Sequence, residues 1–495
     1  MADSLNKKIA IGYLWNLVAK WITRSIGIIS TLILIRLLKP EDFGIATLAS
    51  ITIALFMVLS HVGVEKYLIK SKECNNDLLN SAWSLNIVLK VLSGVIIAGF
   101  SGSIALFTHE PELKNVLLLC SVIPVIGAMS NIGLIHYERE LNYKPLARLS
   151  VVAKLIVFPV TVGLAVWLKN YWALIIGSLT SECINAVGSY FIHPYRPVWS
   201  VKQWGRLWDF SKWMLLSTIT GYIRSRIDAF LLGRFLPSDA VGTFRISQEF
   251  AWLPFSELIS PATSSFYSGI SKISHNREEL YDKIVKYQAI AYLLVIPSVL
   301  GIYALKDLIV VVVMGEQWLS ATPIIGLLSF LMLSMPLNMV LQTVLISLSK
   351  VKYLVFIDLI MITSIVLVFF LLHQENVHSL QVFTLARVIL VIAFISLLLA
   401  AYKILLKLNL KRLSIVCIMP VLPGMIMLWS IERMEVLLNF SQAVNLIILV
   451  FLGILIFMGS MFLLIVLVKT VLPDYLYIYK FIIRACYSIK QKFAF

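Results

Sequence analysis

The sequence predicts an all-α, polytopic membrane protein with about fourteen transmembrane helices, and three observations lead to this class. Hydrophobic residues make up 60% of the 495 and charged residues 14%, whereas soluble domains are about 45–50% apolar and about 25% charged. Apolar runs long enough to cross a bilayer recur from end to end. No polar linker divides the chain into the two or more domains expected of a soluble protein this long.

The basic residues between the apolar runs predict the topology. The predicted spans are 12–37, 43–64, 81–107, 113–135, 146–168, 171–193, 211–236, 243–269, 287–313, 322–348, 353–372, 379–402, 413–430 and 441–468. Loops after odd-numbered spans contain three basic residues, Lys39, Lys169 and Arg433, whereas the N-terminus, the other loops and the tail contain 27. Because basic residues accumulate on the cytoplasmic side, both termini are predicted to be cytoplasmic. This bias also accounts for most of the net charge of +16, so no nucleic-acid partner is predicted.

An internal repeat predicts how the spans are organised. A shift of 198 residues aligns Trp15 with Trp213 and Arg36 with Arg234, and the turn RLLKPEDFG aligns with RFLPSDAVG. Six spans separate the copies, so the chain returns to the same side and the repeats are parallel, as in two-lobed alternating-access carriers. The alternative interpretation is that the two matching turns are a common motif for ending a helix, which occurs twice without an internal repeat.

The repeat implies two six-helix lobes followed by two further helices. The predicted parts are an N-terminal lobe at 1–193, a cytoplasmic linker at 194–210, a C-terminal lobe at 211–402, helices 13 and 14 at 403–470, and a basic amphipathic cytoplasmic tail at 471–495. The tail mixes aromatic and aliphatic residues with Lys and Arg, a composition that favours the anionic inner surface of the membrane.

Ionisable residues inside the spans indicate where a substrate could bind, because each is costly to insert into hydrocarbon. Lys20 and Arg24 are spaced i, i+4 on the first span, and residues 12–37 contain no acid. Arg224 and Arg226 lie on the corresponding span of the second repeat. An uncompensated cationic cavity selects an anion, and guanidinium suits phosphate because its planar fork donates two hydrogen bonds. These four residues are the predicted substrate-binding cations of a central lumen.

Other buried groups have weaker assignments. Asp228, Glu249, Glu257 and Asp358 are candidates for ion coupling, with structural ion pairs as the alternative. Lys90 and Lys154 could snorkel toward the inner interface. Pro254 and Pro261 in the eighth span are candidate hinges, with static kinks as the alternative. The sequence predicts no catalytic residues, no metal site and no cofactor, since no motif for them is present.

Several segments resemble signatures of a known family. The segment ILIRLLKPEDFGIATLASI followed by HVGVEKYLIK resembles the amino-terminal signature of the polysaccharide transporter family, and VVVMGEQWLSATPIIGLLS resembles its second signature. The predicted cytoplasmic loop YRPVWSVKQWGRLWDFSKWML is similar as well. The resemblance covers nearly the whole chain and is to the Wzx-type O-antigen and exopolysaccharide flippases. Their superfamily includes multidrug and toxin extrusion carriers and lipid II flippases.

The resemblance implies a V-shaped, two-lobed bundle in the bacterial inner membrane. It implies translocation of an undecaprenyl-diphosphate-linked oligosaccharide to the outer leaflet by alternating access, for O-antigen, exopolysaccharide or capsule biosynthesis. The implied partners are this lipid-linked substrate, membrane lipids and the polysaccharide polymerase or assembly machinery. Helix-1 arginines of such flippases correspond to Arg24 in this sequence.

Two other function classes remain as alternatives. A multidrug carrier would need acids where the first span has cations. A membrane enzyme, such as a polymerase of lipid-linked units or a glycosyltransferase, would need a catalytic loop. The longest predicted outward loops, near 314–321 and 373–378, are short and contain no paired carboxylates.

The predicted topology can be tested with a reporter that is active only outside the cytoplasm. Fusion at Glu375 should give signal and fusion at Lys407 should give none, because the two positions flank the twelfth span. Reporter activity normalised to protein level is the measurement. The opposite pattern would exclude the fourteen-span topology.

Overall fold

The computed structural model describes residues 2–60, 67–68, 75–260, 270, 276–348, 350–375, 378–467 and 475, and every regular element among them is helical. The chain forms two compact units, 1–245 and 246–495. Regular elements of the first unit are α1 (Ala2–Leu37), α2 (Pro40–Ser60), α3 (Asn76–Phe107), α4 (Glu112–Cys120), α5 (Val122–Ala128), a 3₁₀ turn (Ile132–Leu134), α6 (Ile135–Arg139), α7 (Lys144–Leu168), α8 (Trp172–Ile192), α9 (Trp204–Phe235) and the start of α10 (Ser238–Pro254).

The second unit contains π and 3₁₀ segments between its helices. After α10 come a π segment (Phe255–Ile259), α11 (Arg277–Ala304), α12 (Lys306–Ile309), a π segment (Val310–Met314), a 3₁₀ segment (Glu316–Ala321), α13 (Thr322–Ser329), a 3₁₀ segment (Phe330–Ser334), α14 (Met335–Ser347), α15 (Val351–Gln374), α16 (Leu380–Leu405), α17 (Leu410–Ile418), α18 (Val421–Leu437) and α19 (Gln442–Leu467). The boundary between the units falls within α10, because α9 packs along α2 of the first unit. The predicted lobes divide the chain by sequence repeat instead, and that division stays a prediction.

The multi-pass membrane class is confirmed. Within the described residues, ten helices are long and apolar enough to cross a membrane, or eleven if Glu112–Ala128 and Ile132–Arg139, bent by 54°, form one span. The other three predicted spans are helical as α8, α9 and α10, but α8 is rich in polar residues and the other two carry several charges. A helix that lines a polar cavity need not be apolar on every side. The count of fourteen spans stays a prediction.

Side-chain caps fix where several helices begin. Asn75 Oδ1 accepts from the Leu78 backbone N–H at 3.0 Å and starts α3. Asn409 starts α17 in the same way, with 2.9 Å to the Lys411 N–H. The first N–H groups of a helix have no partner within it, so a capping oxygen determines the boundary.

Two glycines related by the sequence repeat pack against each other in the first unit. A methyl group at Gly44 would overlap the carbonyl oxygen of Ser238, and one at Gly242 would overlap that of Pro40. The 198-residue shift relates both Gly44 to Gly242 and Pro40 to Ser238, so the contact is reciprocal. A two-fold relation between the copies would give this pattern. The contact therefore supports the repeat, whose lobe arrangement stays a prediction.

Polar contacts at the same helix ends reinforce this crossing. Arg234, at the end of α9, donates to the Phe107 carbonyl oxygen at 3.2 Å, contacts the His109 ring, and lies 5.1 Å above the Phe107 ring centre. Glu110 accepts from the Ser238 backbone N–H at 3.0 Å. The turn after α3 is thereby joined to the junction of α9 and α10, on the side predicted to be extracytoplasmic.

Only the first part of the predicted linker is non-helical: residues 194–203 run from the end of α8 along the start of α3, whereas residues 204–210 already belong to α9. Asn80 Oδ1 accepts from the Tyr195 hydroxyl at 2.7 Å and the Val198 N–H at 2.8 Å. The Asn131 amide donates to the carbonyl oxygens of His193 and Tyr195 at 3.0 and 2.8 Å. Nδ1 of His193 accepts from the Tyr195 N–H at 3.1 Å.

At the helix break before α14, side chains of the second unit donate hydrogen bonds to backbone carbonyl oxygens. Pro336 has no N–H, and the preceding 3₁₀ segment changes the backbone bonding pattern. The buried hydroxyls of Tyr292 and Tyr402 donate to the carbonyl oxygens of Leu333 at 2.6 Å and Leu337 at 2.9 Å. Broken helices are tolerated at membrane depth where neighbouring helices supply such partners.

The reciprocal glycine contact predicts the effect of added methyl groups on stability. Gly44→Ala and Gly242→Ala should each lower the thermal stability of the purified protein, because the added group meets backbone rather than a side chain that can rotate away. Overpacking of this kind costs about 1–3 kcal/mol. Because both variants strain one contact, the double variant should lose less than the sum.

Gly163→Ala is the matched control. Gly163 lies inside α7, and a methyl group there meets open space. This variant should be neutral or up to about 1 kcal/mol more stable. Wild-type melting of both the Gly44 and Gly242 variants would contradict the crossing.

Candidate functional site

The structure places Lys20 and Arg24 on one stripe of α1. Lys20 is exposed and Arg24 half-buried, and side chains four residues apart are neighbours on a helix surface. Residues 12–37 supply two cations at mid-helix and no acid. Gly27 continues the stripe one turn further, so the backbone is bare directly beyond Arg24.

Helix α7 flanks this stripe. The two helices pack along each other, and Lys144 Nζ lies 5.4 Å from the ring centre of Trp15. Further along, a Cβ at Gly27 would lie 3.9 Å from Lys154 Cε. The sequence offered snorkelling for Lys154, but its side chain reaches the cationic stripe. In the sequence, the feature that accompanies this contact is Gly27, three residues after Arg24 on the same face of α1.

The second set of predicted cations lies on α9. Arg224, Arg226 and Asp228 are all half-buried, and Arg224 and Asp228 are one turn apart. The hydroxyl of Tyr222 donates to the Ile51 carbonyl oxygen at 2.7 Å, which anchors α9 on α2. Helices α1 and α9 thus have different main neighbours in the first unit. A single lumen lined by both sets stays a prediction.

The remaining candidate acids lie in the second unit. Glu249, Glu257 and Asp358 are half-buried, on α10, the following π segment and α15. Ser256 Oγ lies 3.0 Å from Glu257 Oε1. Among the described contacts, no two of these three acids lie next to each other. Ion coupling and structural ion pairing with cations both stay predictions for them.

Of the two candidate hinges, the structure describes Pro254, while Pro261 lies outside the described residues. The π segment starts directly after Pro254, and the Ser260 N–H donates to the Phe255 carbonyl oxygen at 2.9 Å, five residues back. Single π turns are frequent at functional sites and kinks. A hinge at Pro254 is therefore geometrically suited, and its motion stays a prediction.

A second buried lysine of the first unit has a structural explanation. Lys90 of α3 acts electrostatically on the carboxylate of Glu182 in α8. Glu182 occupies space left by Gly127 in α5, where a methyl group would overlap its Oε1. Helix α5 packs against both α3 and α8. The attraction between Lys90 and Glu182 offers a structural role for Lys90 besides substrate binding.

Comparisons with known proteins agree with this architecture. A family described as polysaccharide biosynthesis protein matches residues 33–323. The succinoglycan biosynthesis transport protein ExoT of Rhizobium meliloti (strain 1021) is 22% identical over 317 residues, which are 64% of this chain and 64% of that protein. The lipopolysaccharide biosynthesis protein WzxC of Escherichia coli (strain K12) is 24% identical over 333 residues, 66% of this chain and 67% of that protein.

A solved structure shares the fold. The lipid II flippase MurJ, in an inward closed conformation, superimposes with a TM-score of 0.69 and 16% identity over 91% of this chain and 98% of that chain. This likeness shows that the two proteins share a fold over almost the full length of both chains.

The charge pair between α3 and α8 predicts a stability effect. Glu182→Gln should lower the melting temperature, because it removes the electrostatic attraction between this carboxylate and Lys90; removal of one member of a fully buried ion pair costs about 3–5 kcal/mol. Glu182 is half-buried, so the lower end applies.

The second substitution identifies the partner. Lys90→Met combined with Glu182→Gln should recover much of the loss, as a thermal-melting double-mutant cycle would show. Additive losses would exclude the pair.

Proposed function

This chain belongs to the family of polysaccharide biosynthesis proteins, and from that membership we propose that it is a flippase for a lipid-linked oligosaccharide. The substrate is an undecaprenyl-diphosphate-linked repeat unit, carried from the cytoplasmic to the outer leaflet of the bacterial inner membrane. The name of the Rhizobium relative as a transport protein and the fold shared with a lipid II flippase support this proposal. Cytoplasmic termini follow from the distribution of basic residues.

The stripe of α1 is the observation that carries the proposal. A diphosphate bears at least two negative charges and cannot cross hydrocarbon unaided, so a carrier must replace its water shell. Lys20 and Arg24 place cations at mid-helix with no acid in residues 12–37. Arg24 can bind one phosphate through two parallel hydrogen bonds, and Lys20 adds a point charge one turn away. An organic cation would be repelled by the same stripe.

The other candidate residues have supporting roles in this proposal. Arg224 and Arg226 add cations from α9, and Asp228, Glu249, Glu257 and Asp358 are the titratable groups for ion coupling. Pro254, at the start of a π segment, is the hinge. The polysaccharide polymerase or assembly machinery would receive the product in the outer leaflet.

Alternating access requires one end of the carrier to close while the other opens. The reciprocal contact of Gly44 and Gly242, with Arg234 bound to the Phe107 carbonyl, holds α2, α3, α9 and α10 together at the ends predicted to face outward. We assign this crossing to the outer closure of an inward-facing state. It must separate for release into the outer leaflet.

Transport by Arg24 variants tests the proposal. Arg24→Ala should abolish export of the lipid-linked unit while the protein still accumulates in the membrane, and Arg24→Lys should recover only part, because a point charge replaces a bidentate fork. Lys114→Ala removes one charge from an exposed position at the start of α4 and should transport normally. Normal transport by Arg24→Ala would exclude this anion site.

Ligand preference separates the flippase from the drug carrier. Purified protein should bind a polyprenyl diphosphate in preference to a cationic dye, and Arg24→Ala should weaken the former alone. Tight dye binding without measurable diphosphate binding would favour the drug-carrier alternative.

A further inference from the structure

The stripe on α1 has no side chain at Gly27, and a lysine from α7 lies over this position. Lys20, Arg24 and Gly27 follow one another along the surface of α1 at spacings of four and three residues. A Cβ built at Gly27 would lie 3.9 Å from Lys154 Cε, an ordinary van der Waals separation, and would meet no other atom within 4 Å apart from chain neighbours. The end of the Lys154 side chain therefore lies over bare backbone, one turn beyond Arg24.

The register of the two helices brings Lys154 to this height. Lys144 lies against Trp15, and Gly12 lies against Leu141 at the start of the contact. From there to Lys154 is ten residues of α7, about 15 Å at about 1.5 Å per residue, and to Gly27 is twelve residues of α1, about 18 Å. The end of the Lys154 side chain thus lies at the same depth in the membrane as its own Cα, or further from the cytoplasmic end. A snorkelling lysine would turn back toward the cytoplasmic end.

A second lysine inside a span of the first unit has a different environment. Lys90 attracts the carboxylate of Glu182, which occupies space left by Gly127. In the described part of the chain, no acidic side chain forms an ion pair with Lys154, which is half-buried. A half-buried ammonium without an acidic partner is costly at membrane depth, and a bound anion would stabilise it.

We propose that Lys154 is the third cation of the α1 stripe and binds the second phosphate of a diphosphate. The inference rests on the proposed function and adds selectivity to it. Arg24 can take one phosphate by its planar fork, and Lys154 supplies rotatable donors one turn further on for the other. Lys154 thereby sets a preference for a diphosphate carrier over a monophosphate carrier with the same chain.

Binding of two matched probes tests this role. Geranylgeranyl diphosphate and geranylgeranyl monophosphate differ by one phosphate, and wild-type protein should bind the diphosphate more tightly. Lys154→Met keeps the apolar stem and removes the charge. It should weaken diphosphate binding about tenfold or more, as loss of one charge-assisted hydrogen bond predicts, and leave monophosphate binding unchanged. Lys154→Arg should retain the preference.

Two glycine variants test the geometry without removing the charge, and they decide the matter if Lys154→Met does not accumulate. Gly27→Leu should push the Lys154 ammonium off the stripe and reduce the preference. Gly27→Ala should not, since its methyl group fits at 3.9 Å. Lys90→Met is the matched lysine control and should lower thermal stability while leaving the ratio of the two affinities unchanged.

The outcomes distinguish this inference from the proposed function. Wild-type protein that binds neither probe would contradict the flippase assignment itself. Diphosphate binding that depends on Arg24, with an unchanged affinity ratio in Lys154→Met and Gly27→Leu, would overturn the role of Lys154 alone. Equal weakening for both probes would also overturn it, because it would indicate general attraction rather than recognition of the second phosphate.

Discussion

Hydrocarbon offers no hydrogen-bond partner, and this constraint explains most of the polar contacts within the described helices. Backbone groups at membrane depth must bond inside the protein. Around the helix break at Pro336, the hydroxyls of Tyr292 and Tyr402 donate to the carbonyl oxygens of Leu333 and Leu337. Charges obey the same constraint, since Glu182 is attracted by Lys90 of a different helix. Polar groups that persist without such a structural account are therefore informative about ligand binding.

The same constraint separates what the sequence could predict from what it could not. Hydropathy predicts where helices lie because each span must be apolar over its length, and the basic loops predict orientation. The helix breaks follow from which side chains of neighbouring helices reach the freed backbone groups. That is a property of three-dimensional packing. Pro254 marks a candidate hinge in the sequence, but the π segment that follows it and the 3₁₀ segment before α14 are not predictable from the sequence.

Site prediction had a similar limit. Lys20 and Arg24 share a helix, so their common face follows from helical periodicity alone. Lys154 lies on another helix, and its position over Gly27 depends on the register between α1 and α7, which periodicity within one helix does not specify. Glu182 likewise lies on a different helix from Lys90, and the packing of α3 and α8 against α5 brings its carboxylate under the influence of that lysine. Interhelical register is thus the information that distinguishes a ligand-facing lysine from a paired one.

The helices that fall short of a hydropathy criterion are themselves informative. α9 and α10 carry four of the eight charged candidates, from Arg224 to Glu249. A helix shielded from lipid by its neighbours can hold such residues, whereas α19, with no charged residue in Gln442–Leu467, is apolar throughout. The helices of the chain therefore range from fully apolar ones, such as α19, to ones that contain several charged residues, such as α9.

The reciprocal contact of Gly44 and Gly242 also bears on the origin of the chain. An interface in which each surface meets its own equivalent is isologous, the type found in two-fold symmetric dimers. A single repeat unit standing alone could have used this glycine to pair with a second copy of itself. Fusion of two such genes would have converted an intersubunit contact into an intramolecular one. The two glycines would then be one ancestral position, constrained twice because each faces the backbone of the other half.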